Sequence, residues 1–292
     1  MKIFVTLPIA IFTLLASVAQ NKIVNLDVKR QVDLTEQGSN LVIFNNEINI
    51  SRNKNEDEYY YYCIAKDYAW SFVALHSMYY TGQAGDDEKA TYLHHEPIQP
   101  SELPAGFLQQ NNITDLVDNL LLFRIKLDRE IDTTFIVQEY HKGRREPYPK
   151  VIRVYEKQKV EVFDSKYFLS VYPTEKSTST FLVKTKEIHY KSHEEDKKQS
   201  DKLIYGPYTN IPPVTFEQIT LMFTFMYPLP SFTEATRDIF VSHWGSIAID
   251  EWFNIFNFGA GINGQFSRVD YQPHINPNQG ANAIQTMSTE LP

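Results

Sequence analysis

The feature that most constrains the fold is an alternation of apolar and polar residues, with a period of two, in many short segments. Residues 219–225 show it most clearly, with Ile, Leu, Phe and Phe at every second position, and residues 121–127 repeat it. Such a period puts alternate side chains on one face of an extended chain, which is typical of a half-buried β-strand. The 18 Tyr and 19 Phe, against 11 Gly, agree with this, because aromatic rings pack well on a pleated surface. The sequence therefore predicts an all-β fold, mainly antiparallel and sandwich-like.

Four segments carry more specific predictions. Residues 23–34 favour a first pair of strands, and Tyr167–Tyr172 favours a strand that ends at Pro173. Residues 114–127 are ambiguous, since Thr114 is a possible helix cap, but the alternation in the second half favours a strand. Residues 239–249 predict two strands joined by a turn.

The N-terminal residues predict export of the chain. Lys2 supplies a positive charge, residues 3–15 are mostly apolar, and Ser17-Val18-Ala19 offers the small residues that a signal peptidase recognises. An uncleaved anchor is the alternative, but the segment is short for a membrane span, which needs about 20 apolar residues. We expect residues 1–19 to be a signal peptide and the mature chain to be luminal or extracellular.

A proline-rich stretch, Pro228–Ser231, marks the predicted domain boundary, because paired prolines stop a strand and stiffen a link. Residues 20–230 would then form a first β-rich luminal domain and residues 231–292 the start of a second, in tandem. An immunoglobulin-sized sandwich takes about 100 residues. The second domain is therefore predicted to be truncated.

Charge, cysteine content and glycosylation motifs narrow the classes of function. A formal net charge of −8 argues against nucleic-acid binding through phosphates, which needs clustered Lys and Arg. Cys63 is the sole cysteine, so no internal disulfide forms. The sequons that begin at Asn49 and Asn112 predict two candidate glycosylation sites on the exposed surface of an exported chain.

Three groups of residues suggest sites of chemistry. The run His94-His95-Glu96 suggests a metal site, but neighbouring histidines point in different directions and no partner motif accompanies them, so a solvated loop is favoured. Cys63 with His76 suggests a thiol–imidazole pair, but a cysteine in a tyrosine-rich strand is more often inert. Acidic pairs such as Asp86-Asp87 are typical of solvated loops. The sequence therefore predicts no catalytic residue, no metal and no cofactor.

Two further groups suggest binding surfaces. Tyr59–Tyr62 resembles an aromatic platform for sugars, but alternation favours an amphipathic strand with one buried face. Lys142, Arg144 and Arg145 form a small basic patch, for which the rim of a loop or hairpin is favoured over the binding of lipid headgroups.

Several phrases, in the same order along the chain, resemble the luminal region of the ribophorin I family. They extend from about Val24 to Pro292 and include Asp27–Thr35, Pro147–Pro149 and Tyr167–Thr174. The most distinctive residues of these phrases are Tyr205, Gly206, Pro207, Ser242, His243, Trp244, Gly245, Phe266, Ser267, Arg268, Asp270 and Tyr271.

The resemblance implies a non-catalytic accessory subunit of the oligosaccharyltransferase complex. That complex transfers a preassembled glycan from dolichyl diphosphate to Asn in Asn-x-Ser/Thr sequons, and a separate membrane subunit performs the transfer. Implied partners are the other subunits of the complex, including the catalytic one, and also the translocon and nascent polypeptides. The implied location is the lumen of the endoplasmic reticulum, membrane-associated through the complex.

Two alternatives stay open from the residues alone. One is a secreted, stand-alone β-sandwich protein that acts in adhesion or binds carbohydrate. The other is a luminal hydrolase of unfamiliar type, which would need an essential residue such as His94, His95 or His243.

Overall fold

A computed structural model describes residues 23–53, 57–80, 90–128, 134–154, 156–185, 187–199 and 201–264. The predicted signal peptide, residues 1–19, and the family phrase over residues 266–271 lie outside the described residues. The predicted all-β, mainly antiparallel fold is confirmed. None of the helices in the described part of the chain has the length and apolar character that crossing a lipid bilayer requires.

Nineteen strands and a few single helical turns make up the described residues. The first ten strands are Val24–Asp33 (β1), Leu41–Ser51 (β2), Tyr59–Ala65 (β3), Phe72–Tyr80 (β4), Ala90–Tyr92 (β5), His95–Ile98 (β6), Leu120–Lys126 (β7), Thr134–Lys142 (β8), Glu146–Pro147 (β9) and Val151–Arg153 (β10). The others are Lys159–Ser165 (β11), Thr174–Leu182 (β12), Ile188–Lys191 (β13), Lys197–Gln199 (β14), Lys202–Ile211 (β15), Gln218–Thr224 (β16), Pro230–Val241 (β17), Ile247–Asn257 (β18) and Gly261–Asn263 (β19). The helical turns are Phe107–Gln110 (α1) and the 3-10 turns Lys66–Tyr68, Pro100–Glu102 and Val117–Asn119.

One eight-stranded sheet organises the fold, with the order β14-β15-β12-β1-β2-β8-β4-β5. Its neighbouring strands are antiparallel except for β1 and β12, which are parallel. Two smaller sheets contribute to the cores beside it, β3-β7-β6 and β13-β16-β11-β9. The result is a sandwich with one long layer and a second layer in two parts.

The buried apolar side chains form two separate cores. The first contains Val28 and Ile48 of the long sheet together with Tyr60 and Ile125 of the β3-β7-β6 sheet. The second contains Val32 and Phe44 of the long sheet, only a few residues along the same two strands, together with side chains of β11 and β16. A single sheet therefore supports two cores side by side, and their boundary crosses β1 and β2.

Strands β17 and β18 form a long hairpin that extends away from both cores. The predicted strand–turn–strand of residues 239–249 is confirmed by their pairing, with Ile239 opposite Ile249. Among the described residues, no buried member of either core lies beyond Leu229, and the side chains of the hairpin are mostly exposed. Its base is held by Phe258 N–H, which donates to the Leu229 carbonyl, and by β19, which pairs in parallel with β10.

Two strand predictions were wrong, and one ambiguous segment was predicted correctly. Residues 23–34 form the single strand β1 rather than a pair, because the polar residues between the two apolar stretches also lie in the sheet. Tyr167–Tyr172 is buried in part but is not a strand. The Ser170 hydroxyl accepts a hydrogen bond from Tyr172 N–H at 3.0 Å, a local bond that competes with strand pairing. Residues 120–126 form β7, as the alternation favoured.

Candidate functional site

A concentration of buried polar groups lies at the boundary between the two cores. Arg30 of β1 points inward between Val28 and Val32, and its Nη2 lies 2.7 Å from Oδ2 of Asp164 in β11. Its Nη1 donates to the Ser165 carbonyl at 2.8 Å. Arg144 approaches the same carboxylate, with Nη2 3.3 Å from Oδ1. The buried carboxylate of Asp164 thus forms ion pairs with two buried guanidinium groups, those of Arg30 and Arg144.

A second cluster adjoins this one and is centred on Glu139 of β8. Asn46 Nδ2 donates to Glu139 Oε1 and to the Tyr62 hydroxyl, each at 2.9 Å. The Tyr62 hydroxyl itself donates to Glu139 Oε1. His141 Nε2 lies 3.0 Å from Glu139 Oε2, and its Nδ1 lies 2.9 Å from the Ser71 hydroxyl. Every ionisable member of the cluster has a partner within it.

The contacts within and between the two clusters shift the pKa values of Glu139 and Tyr62 in opposite directions. Burial pushes the pKa of Glu139 upward, but hydrogen bonds from His141 and Tyr62 and the charge of Arg30 outweigh burial, so the pKa of Glu139 lies below its ordinary value. Burial and the Glu139 charge raise the pKa of the Tyr62 hydroxyl. Glu139 is therefore an anion at neutral pH, while Tyr62 keeps its proton. Such groups stabilise a fold and are not poised to exchange protons.

Of the predicted basic patch only Lys142 is exposed, so the prediction of an exposed loop rim was wrong for Arg144 and Arg145. Arg144 and Arg145 are 4% and 1% exposed. The Arg144 guanidinium lies 3.6 Å from the centre of the Tyr68 ring. Arg145 donates to the carbonyls of Glu36 and Leu41 at 2.7 and 2.9 Å, and burial lowers its pKa to about 10. The loop after β8 thus folds inward, with the Arg145 donors bonded to backbone carbonyls of the chain between β1 and β2 and of β2 itself.

The family phrase Ser242-His243-Trp244-Gly245 forms the turn of the exposed hairpin. Ser242 Oγ accepts hydrogen bonds from the backbone N–H groups of Trp244 and Ser246, each at 3.2 Å, and Gly245 adopts φ +81°. Trp244 is 96% exposed and His243 is also exposed. The phrase therefore builds a tight turn that presents an aromatic ring at the tip of the hairpin.

The family phrase Tyr205-Gly206-Pro207-Tyr208 has a structural role at a close approach of two strands. Gly206 has φ +100°, and a Cβ there would lie 2.8 Å from the Ser177 carbonyl oxygen. Asp196 accepts hydrogen bonds from Gly206 N–H at 2.6 Å and from the Tyr208 hydroxyl at 2.9 Å. These bonds lower the pKa of Asp196. Glycine is required at this position because a side chain has neither the space nor the backbone conformation.

The two sequons occupy different environments. Asn112 is exposed in a turn that follows α1, with φ +55°. Asn49 lies within β2, opposite Asp27 of β1 and Thr134 of β8, and it is half-buried. The Oδ1 atom of Asn49 is buried without a hydrogen-bond partner among the described residues.

The described candidates for catalysis or metal binding do not come together, and Asp86 and Asp87 lie outside the described residues. Within the part of the chain that the structure describes, no three His, Cys, Asp or Glu side chains come together in a way that would hold a metal ion. Glu96 pairs with Arg124. His76 lies on the exposed face of β4, whereas Cys63 is buried with its Sγ 3.7 Å from the Leu169 carbonyl. Burial raises the pKa of the Cys63 thiol.

The buried polar clusters were not predicted, although the alternation in the sequence contains the signal for them. Arg30, Asn46, Glu139 and His141 all occupy positions that share the parity of buried apolar neighbours in their strands. A polar residue at an inward-facing position predicts a buried partner. The identity of that partner, Asp164 for Arg30, follows only from the packing of β11 against β1.

Comparison with known proteins adds a clear relationship. The sequence profile of the ribophorin I family matches residues 23–292. Dolichyl-diphosphooligosaccharide–protein glycosyltransferase subunit 1A of Arabidopsis thaliana is 32% identical over 148 residues, which are 50% of this chain and 24% of the relative. Subunit 1 of Caenorhabditis elegans is 33% identical over 149 residues, 50% of this chain and 25% of the relative. The chain thus aligns with about a quarter of the length of these relatives.

Among solved structures, yeast LTA4 hydrolase in complex with bestatin covers 73% of this chain with 8% identity and a TM-score of 0.37, and the alignment covers 30% of that structure. A likeness of this size assigns no activity. The profile match extends over nearly all of the chain and includes every phrase discussed above. This chain belongs to the ribophorin I family.

Proposed function

We propose that this chain is a non-catalytic accessory subunit of the oligosaccharyltransferase complex. In that role it supports the transfer of a preassembled glycan from dolichyl diphosphate to Asn in Asn-x-Ser/Thr sequons of nascent proteins. The observation that carries the proposal is the family match over residues 23–292, together with relatives that are named as subunit 1 of this glycosyltransferase. Its partners are then the other subunits, including the membrane subunit that performs the transfer, with the translocon and nascent chains as further partners.

The chemistry of the buried polar groups supports a non-catalytic role. Glu139 is stabilised as an anion by fixed donors, and Asp164 is shared between two guanidinium groups. The Cys63 thiol is stabilised in its protonated form by burial. A general acid or nucleophile needs access to a substrate and a pKa near the working pH. These groups instead stabilise the joint between the two cores.

We also propose that β17 and β18 begin a second β-rich domain, with the boundary at Pro230. The two cores of the described residues include no side chain beyond Leu229, whereas the hairpin exposes large apolar side chains such as Trp252 and Phe256. Exposed apolar surface of this extent is typical of a surface that another protein element covers. The location that fits this role is the lumen of the endoplasmic reticulum, with attachment to the membrane through the complex.

Affinity purification tests the proposal. The full chain, tagged at its C-terminus and expressed in eukaryotic cells, is recovered from detergent-solubilised microsomes, and the bound proteins are identified by mass spectrometry. We expect oligosaccharyltransferase subunits to be recovered with the chain, at the same ratio to the chain in repeated purifications. Secretion of the chain into the medium without those subunits would support the stand-alone adhesion protein instead. Transfer of glycan to an acceptor peptide by the purified chain alone would contradict the non-catalytic role.

A further inference from the structure

The tip of the hairpin formed by β17 and β18 is apolar and carries no charged side chain. We define the tip as residues 239–249, which contain no Asp, Glu, Lys or Arg. Its large apolar side chains are all more than half exposed: Ile239, Phe240, Val241, Trp244, Ile247 and Ile249. Exposed apolar surface of this kind marks a contact with another protein or with a membrane. The proposed role in the complex does not say which of the two the tip meets.

Apolar side chains lie on both faces of the tip. The pairs that show this are Ile239 opposite Ile249 and Val241 opposite Ile247 on one face, and Phe240 opposite Ala248 on the other. A strand that packs against one partner surface buries one face and keeps the other polar. Nearer the base the face of Phe240 does become polar, since Asp238 there opposes Asp250. Apolar side chains all round the tip therefore suit a medium that surrounds it, rather than a surface that meets one side of it.

The turn at the end of the tip satisfies its own backbone. Ser242 Oγ accepts hydrogen bonds from Trp244 N–H and Ser246 N–H, each at 3.2 Å. Ser242 N–H donates to the Ser246 carbonyl at 2.9 Å, and Gly245 N–H donates to the Ser242 carbonyl at 3.1 Å. The hydroxyl groups of Ser242 and Ser246 lie 2.6 Å apart and bond to each other. Backbone polar groups need such internal partners where water is scarce, so this turn loses few hydrogen bonds on leaving water.

The length of the tip and the charges beside it select the interface of a neutral membrane. Three residues of each strand and the turn extend on the order of 10 Å at the rise of a β-strand. Segments that lie in a membrane interface enter it by about 5–10 Å. Charged residues begin immediately beyond the tip, at Arg237 and Asp238 on β17 and at Asp250 and Glu251 on β18, and their formal charges sum to −2. An acidic collar of this kind is repelled by anionic lipid but not by zwitterionic lipid.

We propose that the hairpin tip inserts into the interface of a bilayer of zwitterionic lipid, with Trp244 as its anchor. The Trp244 side chain is 96% exposed at the end of the hairpin. Tryptophan suits the membrane–water interface because its ring is apolar while its indole N–H stays hydrated. The aliphatic side chains behind it add apolar area, and the charged collar remains among the headgroups. This contact goes beyond membership of the complex, because it is a property of the chain itself and needs no other subunit.

Vesicle binding by the purified chain tests the proposal. The chain is prepared as secretory cells process it, and mass spectrometry verifies that residues 1–19 are absent, because the apolar residues 3–15 would bind lipid by themselves. It is then floated with vesicles of phosphatidylcholine and phosphatidylethanolamine. We expect the chain to partition into these vesicles without any other subunit, and we expect no increase when phosphatidylserine is added. Failure of this test leaves the proposed function intact, since copurification of subunits measures that separately.

Two tryptophans of the same hairpin give a matched comparison. Trp244→Ala removes the ring at the turn and is expected to weaken partition about tenfold. Trp252→Ala is the control and should change partition less than about twofold, because Trp252 lies about 16 Å further along β18 than Ile247 and so outside the interface. Both side chains are exposed, so the circular dichroism spectrum should stay the same in both variants.

Fluorescence quenching locates the residue that enters the lipid. Phospholipids brominated in their acyl chains should quench part of the tryptophan fluorescence of the unmodified chain, and Trp244→Phe should remove most of that quenching. Absence of partition, equal weakening by the two alanine variants, or stronger binding to vesicles that contain phosphatidylserine would overturn the proposal. If partition is absent and Trp244→Ala reduces the copurified subunits, the tip is instead a contact with a protein.

Discussion

Arg30 and Asp164 form an ion pair across the sandwich, with Nη2 and Oδ2 2.7 Å apart and side chains that are only 8% and 4% exposed. The two residues belong to β1 and β11, which lie in different sheets. Removing two charges from water is costly, and the cost is offset only where geometry and further hydrogen bonds are good. Here Asp164 also contacts Arg144, and Arg30 also donates to the Ser165 carbonyl. The pair therefore fixes how the two layers align.

Replacement of the shared carboxylate is expected to destabilise the fold strongly. Asp164→Asn leaves two buried guanidinium groups without their anion, so we expect a loss of about 3–5 kcal/mol in the free energy of unfolding. Urea unfolding followed by far-UV circular dichroism measures it. The matched control is Glu47→Gln, which breaks the Lys29–Glu47 pair, whose side chains are 62% and 45% exposed. That change should cost less than about 1 kcal/mol, and equal losses for the two variants would contradict the importance of the buried pair.

Stability is expected to fall in acid because of Glu139. The pKa of Glu139 in the folded chain is lower than its ordinary value of 4.5. As the pH falls below about 4.5, the unfolded chain binds a proton that the folded chain resists, so the contribution is present above this pH and is lost below it. Glu139→Gln should flatten the dependence of the urea midpoint on pH. Tyr62→Phe, which removes a donor to Glu139, should move the decline to higher pH.

The family phrase at Gly206 predicts a specific steric effect. Gly206→Ala places a Cβ 2.8 Å from the Ser177 carbonyl oxygen at φ +100°, whereas Gly38→Ala, at φ +78°, meets no atom within 4 Å. Both variants carry the penalty of a left-handed backbone, so their difference isolates the steric clash. We expect Gly206→Ala to lose about 1–3 kcal/mol more than Gly38→Ala in thermal or urea unfolding. Equal losses would show that strands β12 and β15 separate to accommodate a methyl group.

The two sequons are expected to differ in occupancy. Asn112 lies in an exposed turn, whereas Asn49 is half-buried in β2 with its Oδ1 enclosed. A glycan is bulky and hydrated and needs an exposed attachment point. Expression in eukaryotic cells followed by peptide mapping should place the glycan on Asn112, and Asn112→Gln should remove the mass shift that Asn49→Gln leaves intact. A fully occupied Asn49 would mean that β2 is not enclosed at this end.

The sequence was sufficient for the class of fold because the period of two is a local property of each strand. The alternation in residues 219–225 identified β16, and the same rule identified β7 and the hairpin of β17 and β18. It failed for Tyr167–Tyr172, where Ser170 satisfies the backbone locally. The parity of Arg30 and Asn46 already marked them as inward-facing, so the existence of a buried polar region was predictable in principle.

The sequence also revealed the family phrases, but it did not reveal what those residues do in the structure. The order of residues in Ser242–Gly245 and Tyr205–Tyr208 indicated the family, and the profile match over residues 23–292 confirmed it. Only the three-dimensional arrangement shows that Gly206 is required by a carbonyl group 29 positions earlier in the chain, at Ser177. It also shows that two of the three residues of the predicted basic patch, Arg144 and Arg145, are buried.

The amino-acid order by itself determined most of the strands and their inward faces, because each depends on neighbours a few positions apart. It also determined membership of the family, through phrases that occur in order along the chain. The tertiary structure decided which buried charges meet, as Arg30 meets Asp164 across 134 positions. Such contacts depend on how separate sheets pack, and packing brings together residues that no local pattern connects.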